Sequence, residues 1–142
     1  MTEPHATDAM EHLGKLSRDT LHDRMGFECT HASAERVEGR MPVEGNRQPL
    51  GLWHGGASAV LAETLGSIGA SVHAAPDRIA LGIELSCSHH RSAKEGHVHG
   101  VATATSLTRS LATYDIEITD DEGRLMCSAR LTCMLKDRSA RS

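Results

Sequence analysis

The sequence predicts an α+β fold, in which an antiparallel sheet of about six strands curls around one long central helix. Apolar residues recur with a period of 3.6 within residues 55–72, a run that is uncharged except for one glutamate. After Pro76 they recur with a period of two. A single helix with small residues over much of its surface, beside several strands, is typical of this architecture. The length of 142 residues, without an internal linker rich in Pro, Gly or Ser, predicts one domain.

The beginning of the chain is polar and rich in histidine. We expect residues 1–7 to form a loose tail and residues 8–142 to form the single domain. Gly26 is predicted to end an N-terminal helix, and residues 27–34 and 36–43 are predicted to be two short strands. The N-terminal helix is predicted from apolar residues that share one face, namely Met10, Leu13, Leu16, Leu21 and Met25.

The central helix is predicted to begin at Gly55, after a loop over residues 44–51, and it carries one acidic residue, Glu63. No basic residue lies three or four positions from Glu63, so the helix itself offers the carboxylate no partner. A solvated glutamate on an ordinary amphipathic helix is the alternative, but such faces are usually rich in charge. The apolar stripe opposite Glu63 is Leu61, Leu65, Ile68 and Val72. The residues around Glu63 are small enough for a backbone, a second subunit or a ligand to approach: Gly56, Ala59, Gly66, Ser67 and Ala70.

Four further strands are predicted over residues 79–87, 96–107, 111–119 and 124–135. The last alternates cleanly between apolar and polar residues. Because Asp120-Asp121-Glu122-Gly123 is a turn signal, the final two strands are predicted to form an antiparallel hairpin.

Composition excludes several classes of partner. The net charge of -4 and the pI near 6.2 provide no basic field for nucleic acid or a membrane surface. The central glutamate and the many small residues argue against a membrane span at residues 55–72. No targeting segment is visible, so we expect a cytoplasmic protein.

The cysteines and histidines do not indicate a metal centre. The four cysteines have neither C-x-x-C spacing nor the density of a secreted scaffold, and they are expected to be small buried side chains without a disulfide. His97 and His99 share a strand face, so zinc is the alternative there, but no second pair of ligands completes a site. We expect no metal and no cofactor.

Residues 52–67, Leu-Trp-His-Gly-Gly-Ala-Ser-Ala-Val-Leu-Ala-Glu-Thr-Leu-Gly-Ser, resemble the signature of hotdog-fold acyl-CoA thioesterases. The branch in question includes 1,4-dihydroxy-2-naphthoyl-CoA, 4-hydroxybenzoyl-CoA and phenylacetate-pathway thioesterases. Segments 84–92, 95–98 and 122–131 resemble the same branch, so the similarity covers nearly the whole chain beyond the tail. It implies a hotdog fold and hydrolysis of an acyl-CoA thioester, with 1,4-dihydroxy-2-naphthoyl-CoA of menaquinone biosynthesis as the first choice.

The resemblance also implies a role for each residue of the catalytic centre. Thioester hydrolysis needs a donor for the developing oxyanion and either a nucleophile or a base that activates water. The Gly55 amide would receive the thioester carbonyl, Gln48 would assist it, and His54 would orient the thioester. Glu63 would be the nucleophile or the general base, and Ser67 would hold the water or contact the region of the leaving group.

Glu63 and Gly55 are eight residues apart, which is about 12 Å along one helix. One chain therefore cannot readily place both groups at one carbonyl. We expect a homodimer with shared active sites, assembled further into a dimer of dimers.

Coenzyme A requires an anion-binding region outside this centre. The basic segment His89, His90, Arg91 and Ser92, together with Lys94, is the densest candidate. The resemblance implies that Gly82 and a second segment line the pantetheine and nucleotide path, the second segment being Ser106, Leu107, Thr108, Arg109, Ser110 and Leu111.

Two other functions remain open at this point. Hotdog proteins include acyl-thioester dehydratases, in which a histidine and a carboxylate transfer protons, as His54 and Glu63 could. A non-catalytic acyl-CoA-binding module is the other alternative, and a carrier-protein thioester could replace CoA.

Overall fold

The computed structural model describes residues 19–138. The predicted tail and the predicted helical positions Met10, Leu13 and Leu16 lie outside this range. Every predicted strand after Gly26 is confirmed to within a few residues. The described part of the chain forms, in order, α1 (Leu21–Arg24), β1 (Glu28–Ala32), β2 (Arg36–Pro42), α2 (Gly55–Ala74), β3 (Arg78–His89), β4 (His97–Leu107), β5 (Leu111–Thr119) and β6 (Leu125–Asp137).

The six strands form one antiparallel sheet in the order β1-β2-β4-β5-β6-β3. Helix α2 contacts all six strands, so the sheet curls around it and the predicted architecture is confirmed.

The predicted β5–β6 hairpin is also present. In its turn, the nearly buried Asp120 carboxylate accepts hydrogen bonds from the Glu122 amide and from the amide and guanidinium of Arg124. Burial raises the pKa of Asp120, but these donors and the Arg124 charge outweigh it and lower the pKa.

The apolar stripe of α2 lies in the core, with one exception. Leu61, Leu65 and Ile68 are buried, whereas Val72 near the end of the helix is only half-buried. Leu61 and Leu65 pack over Gly100 of β4. A Cβ atom on Gly100 would lie 2.5 Å from Leu65 and 3.3 Å from Leu61.

The face of small residues on α2 is less open than expected, because the sheet itself fills part of it. A Cβ atom on Gly66 would lie 2.5 Å from Leu131, and one on Gly69 would lie 2.8 Å from the Tyr114 ring. Ala70 is fully buried. These small residues therefore bring α2 close to β5 and β6, and the amino-terminal part of the face, from Gly56 to Glu63, stays accessible.

Replacing Gly69 with valine is expected to destabilise the fold by about 1–3 kcal/mol, because the core cannot accept the added side chain. Tyr114 is fully buried and its hydroxyl donates to the Ala34 carbonyl at 2.6 Å, so the ring cannot move aside freely. Ser71→Val is the matched control on an exposed position of the same helix, and it should change stability by less than about 0.5 kcal/mol. Urea unfolding of both variants measures the difference; equal stabilities would contradict the proposed packing.

Candidate active site

The amino end of α2 offers an unused backbone donor. His54 caps the helix, with its Nδ1 atom accepting from the Gly56 amide at 2.8 Å, and its carbonyl accepts from the Ala57 amide at 2.9 Å. Within residues 19–138 the Gly55 amide donates to no group. Since a helix amino terminus also carries a partial positive charge, this amide can serve an oxyanion.

The loop before α2 is anchored by residues that the sequence did not single out. The Asn46 side-chain amide donates to the carbonyls of Met25 and Pro42, at 2.8 Å each, and the Asn46 backbone carbonyl accepts from the His54 amide at 2.9 Å. Trp53 is nearly buried, and its indole N–H donates to the Ser58 hydroxyl at 2.7 Å. Together these bonds fix where His54 and Gly55 lie. The sequence did not mark them, because Asn46 also bonds to Met25, which is 21 residues away, and the other bonds follow no regular helix or strand spacing.

Gln48 lies in the same loop and is half-buried. Its side-chain carbonyl accepts from the Leu50 amide, and its backbone bonds with Leu52 and Gly51. The two hydrogens of its side-chain amide are not used by any described residue, so Gln48 can donate to a ligand.

Glu63 lies about 12 Å along α2 from Gly55, at the outer edge of the sheet. Its carboxylate packs against Gly82 of β3, where a Cβ atom would lie 2.7 Å from Oε2. The side chain is exposed and makes no hydrogen bond or ion pair in the part of the chain that the structure describes. The sequence-based observation that Glu63 lacks a partner along its helix therefore extends to the surrounding sheet.

Ser67 and Cys133 are polar residues next to Glu63. Cys133 is the cross-strand neighbour of Gly82 and is fully buried. Burial raises the pKa of the Cys133 thiol, a hydrogen bond with Ser67 lowers it, and the negative charge of Glu63 raises it. Cys133 is thus a buried core residue, as predicted, and its partner Ser67 lies one turn after Glu63 on α2.

The predicted basic segment divides between two faces of the sheet. The His89 ring lies over Gly55, with Cε1 3.3 Å from the position of a Cβ atom there. His90 points away, with Nε2 3.0 Å from the Ser128 hydroxyl. Arg91 and Ser92 are exposed beyond the end of β3. His89 therefore joins the helix terminus, a placement that its sequence position next to His90 did not reveal.

The second segment predicted to bind coenzyme A, residues 106–111, lies at the opposite end of α2. The imidazole of His73, in the last turn of α2, contacts the Thr108 carbonyl at 2.8 Å. The helix has 20 residues and is about 30 Å long. Within one chain, the turn at residues 106–111 therefore lies far from Gly55 and His89. In the same chain, His89 lies at the amino end of α2 beside Gly55, and Glu63 lies about 12 Å farther along the helix, beside Gly82.

Two further properties bear on the chemistry of residues 19–138. In that range no three His, Cys, Asp or Glu side chains lie close enough together to hold a metal ion. His99 instead contacts the Asp121 carboxylate at 2.8 Å, and this bond is the main reason that the pKa of Asp121 is lowered. No helix in the same range is long and apolar enough to cross a membrane.

Comparison with known proteins gives one family match. Residues 50–127 match the family described as the thioesterase superfamily. This range contains the helix terminus, Glu63 and most of the sheet, including β3, β4 and β5.

Relatives and solved structures agree with that match. The chain is 40% identical over 124 residues to a proofreading thioesterase EntH of Cronobacter turicensis, covering 87% of this chain and 90% of that protein. It is 37% identical over 124 residues to the 1,4-dihydroxy-2-naphthoyl-CoA hydrolase of Escherichia coli, covering 87% and 91%. The crystal structure of thioesterase HI1161 from Haemophilus influenzae superposes with a TM-score of 0.85 at 31% identity, covering 90% of each chain.

Proposed function

The chain belongs to the thioesterase superfamily, has the hotdog fold and is a thioester hydrolase, and on this premise we propose that it hydrolyses an aromatic acyl-CoA at a site shared between two subunits. The proposal assigns Glu63 as nucleophile or general base and the Gly55 amide as oxyanion donor. Gln48, His54 and Ser67 assist. The products are a free acid and coenzyme A.

The observation that carries this proposal is the unpartnered Glu63 carboxylate. It packs against Gly82, one helical turn from Ser67, and no cation within the described range neutralises it. An ionised carboxylate held in a defined place without a structural partner is available to attack a carbonyl or to take a proton from water. A purely structural glutamate would gain nothing from this arrangement.

In the general-base route, Glu63 takes a proton from a water molecule as that water attacks the thioester carbonyl carbon. The carbonyl oxygen becomes an oxyanion, which the Gly55 amide and the Gln48 side chain stabilise by donating to it. Collapse of the tetrahedral intermediate breaks the carbon–sulfur bond, and the CoA thiolate takes up the proton. In the nucleophilic route, the Glu63 carboxylate attacks the carbonyl carbon and expels the CoA thiolate, which takes up a proton from solvent. Water then hydrolyses the resulting mixed anhydride, which releases the free acid and regenerates Glu63.

The exposed edge of β3 supports the sharing of this site. The sheet order leaves this strand of 12 residues at an edge, with Leu81 45% and Ile83 55% exposed. Such an edge offers unpaired N–H and C=O groups to a second copy. Within one chain, Gly82 lies beside Glu63, and His89 lies beside Gly55. An antiparallel pairing that sets Gly82 of one chain opposite His89 of the other would therefore bring Glu63 of the first chain to Gly55 of the second.

The aromatic acyl group is supported by the relatives. One of them, at 37% identity, is a 1,4-dihydroxy-2-naphthoyl-CoA hydrolase, and we propose that substrate, from menaquinone biosynthesis, as the first choice. A dimer of dimers is the proposed assembly.

A panel of benzoyl, naphthoyl, phenylacetyl and fatty acyl thioesters tests the proposal. Each thioester is incubated with the protein while the released thiol and the acid are quantified. Release of one thiol for each acid, fastest with the aromatic thioesters, supports the proposal. A changed acyl chain without free thiol would indicate a dehydratase, and binding without turnover would indicate a binding module.

A further inference from the structure

Three consecutive carbonyls in the turn between β4 and β5 are each held by a different element. The Thr108 carbonyl accepts from the His73 ring of α2 at 2.8 Å, and the Arg109 carbonyl accepts from the guanidinium of Arg78 in β3. The Ser110 carbonyl accepts from the Leu135 amide of β6 at 2.9 Å. The third bond continues the β5–β6 ladder, whereas the first two are side-chain bonds from residues outside the β4–β5 hairpin.

These bonds occupy the carbonyls of residues 108–110, whereas two amides of the same turn have no partner within residues 19–138. Thr108 closes the turn through its own side chain, which bonds with both the amide and the carbonyl of Leu111 at 3.0 Å. In the described chain neither the Arg109 amide nor the Ser110 amide donates to any group. Successive free amides beside basic side chains are a surface that suits a phosphate.

We propose that His73 and Arg78 are positioning residues for the part of the site that holds the phosphates of coenzyme A. This inference rests on the proposed function, together with the expectation from the family resemblance that residues 106–111 line the nucleotide path. His73 lies ten residues from Glu63, about 15 Å along α2, so the turn is well separated from the reacting carbonyl. The two residues therefore affect the affinity for coenzyme A and leave the chemical step unchanged.

The hydrogen bond to Thr108 defines what the side chain at position 73 must provide. A carbonyl only accepts, so the Nε2 atom of His73 carries the hydrogen. Glutamine can present an amide N–H at a similar distance from the backbone, whereas leucine fills similar volume without a donor. His73→Gln and His73→Leu are therefore a matched pair, and Arg78→Met removes the donor to the second carbonyl.

The test is calorimetric titration of each variant with coenzyme A, together with kcat on benzoyl-CoA. His73→Leu and Arg78→Met are each expected to raise the Kd for coenzyme A roughly three- to tenfold, with kcat unchanged, since each loses one hydrogen bond that orders the turn. His73→Gln is expected to bind nearly as the wild type does.

Several results would overturn the inference. Unchanged affinity in His73→Leu, equal losses in His73→Leu and His73→Gln, or no binding of coenzyme A by the wild type would each do so. A wild type that binds coenzyme A but hydrolyses no thioester overturns the proposed function instead, while the change of Kd in His73→Leu still decides the role of His73.

Discussion

Glu63→Gln is expected to lower kcat on an aromatic acyl-CoA by about three orders of magnitude, because the amide can neither accept a proton from water nor attack a carbonyl. Stability should change by less than about 0.5 kcal/mol, since Glu63 has no hydrogen bond or ion pair to lose within residues 19–138. Thiol release and urea unfolding, measured on the same preparation, separate the two effects.

Glu117→Gln is the control for removing one negative charge. Glu117 is exposed on β5, and its carboxylate, like that of Glu63, makes no hydrogen bond or ion pair among the described residues. Its replacement should leave kcat within about twofold. Comparable activity in Glu63→Gln and Glu117→Gln would remove Glu63 from the mechanism.

Gly55→Pro is expected to lower kcat by about two to three orders of magnitude, because proline has no amide hydrogen for the oxyanion. The helix itself should tolerate the change. Gly55 is the first residue of α2, where proline is favoured, and His54 before it is already extended, with φ -76° and ψ 129°. Steady-state kinetics with the same aromatic thioester gives the loss.

Gly55→Ala is the control that separates the loss of the amide hydrogen from the effect of an added side chain. Alanine keeps the amide and places the same Cβ atom 3.3 Å from the His89 ring, so His89 must shift slightly in both variants. A loss in Gly55→Pro that greatly exceeds the loss in Gly55→Ala assigns the effect to the N–H donor. Equal losses would show that crowding of His89, not the donor, controls the rate.

Local patterns were sufficient for most of the fold. The start of α2 at Gly55, the alternation along β6 and the turn at residues 120–123 all depend on neighbours within a few positions, and all are confirmed. The partnerless state of Glu63 was also visible from spacing along one helix. The family resemblance supplied the chemistry that this isolated carboxylate serves.

Other features required the folded chain. His89, the last residue of β3, and His90, the residue after it, are adjacent in sequence, yet their side chains reach Gly55 and Ser128 respectively. The packing of Leu131 and Tyr114 onto glycines of α2 depends on sheet order, which periodicity does not specify. For the same reason the three carbonyl contacts of the β4–β5 turn could not be predicted.

Mixing Glu63→Gln with Gly55→Pro subunits tests the shared site most directly. The two proteins are unfolded together, refolded at equal concentration and assayed for thiol release. In a mixed dimer, one site combines both defects, and the other combines an intact Glu63 with an intact Gly55. Random pairing gives half mixed dimers, so about a quarter of wild-type activity is expected from two nearly inactive proteins. Activity no higher than that of the separate variants, with mixed dimers present, would contradict a site built from two subunits.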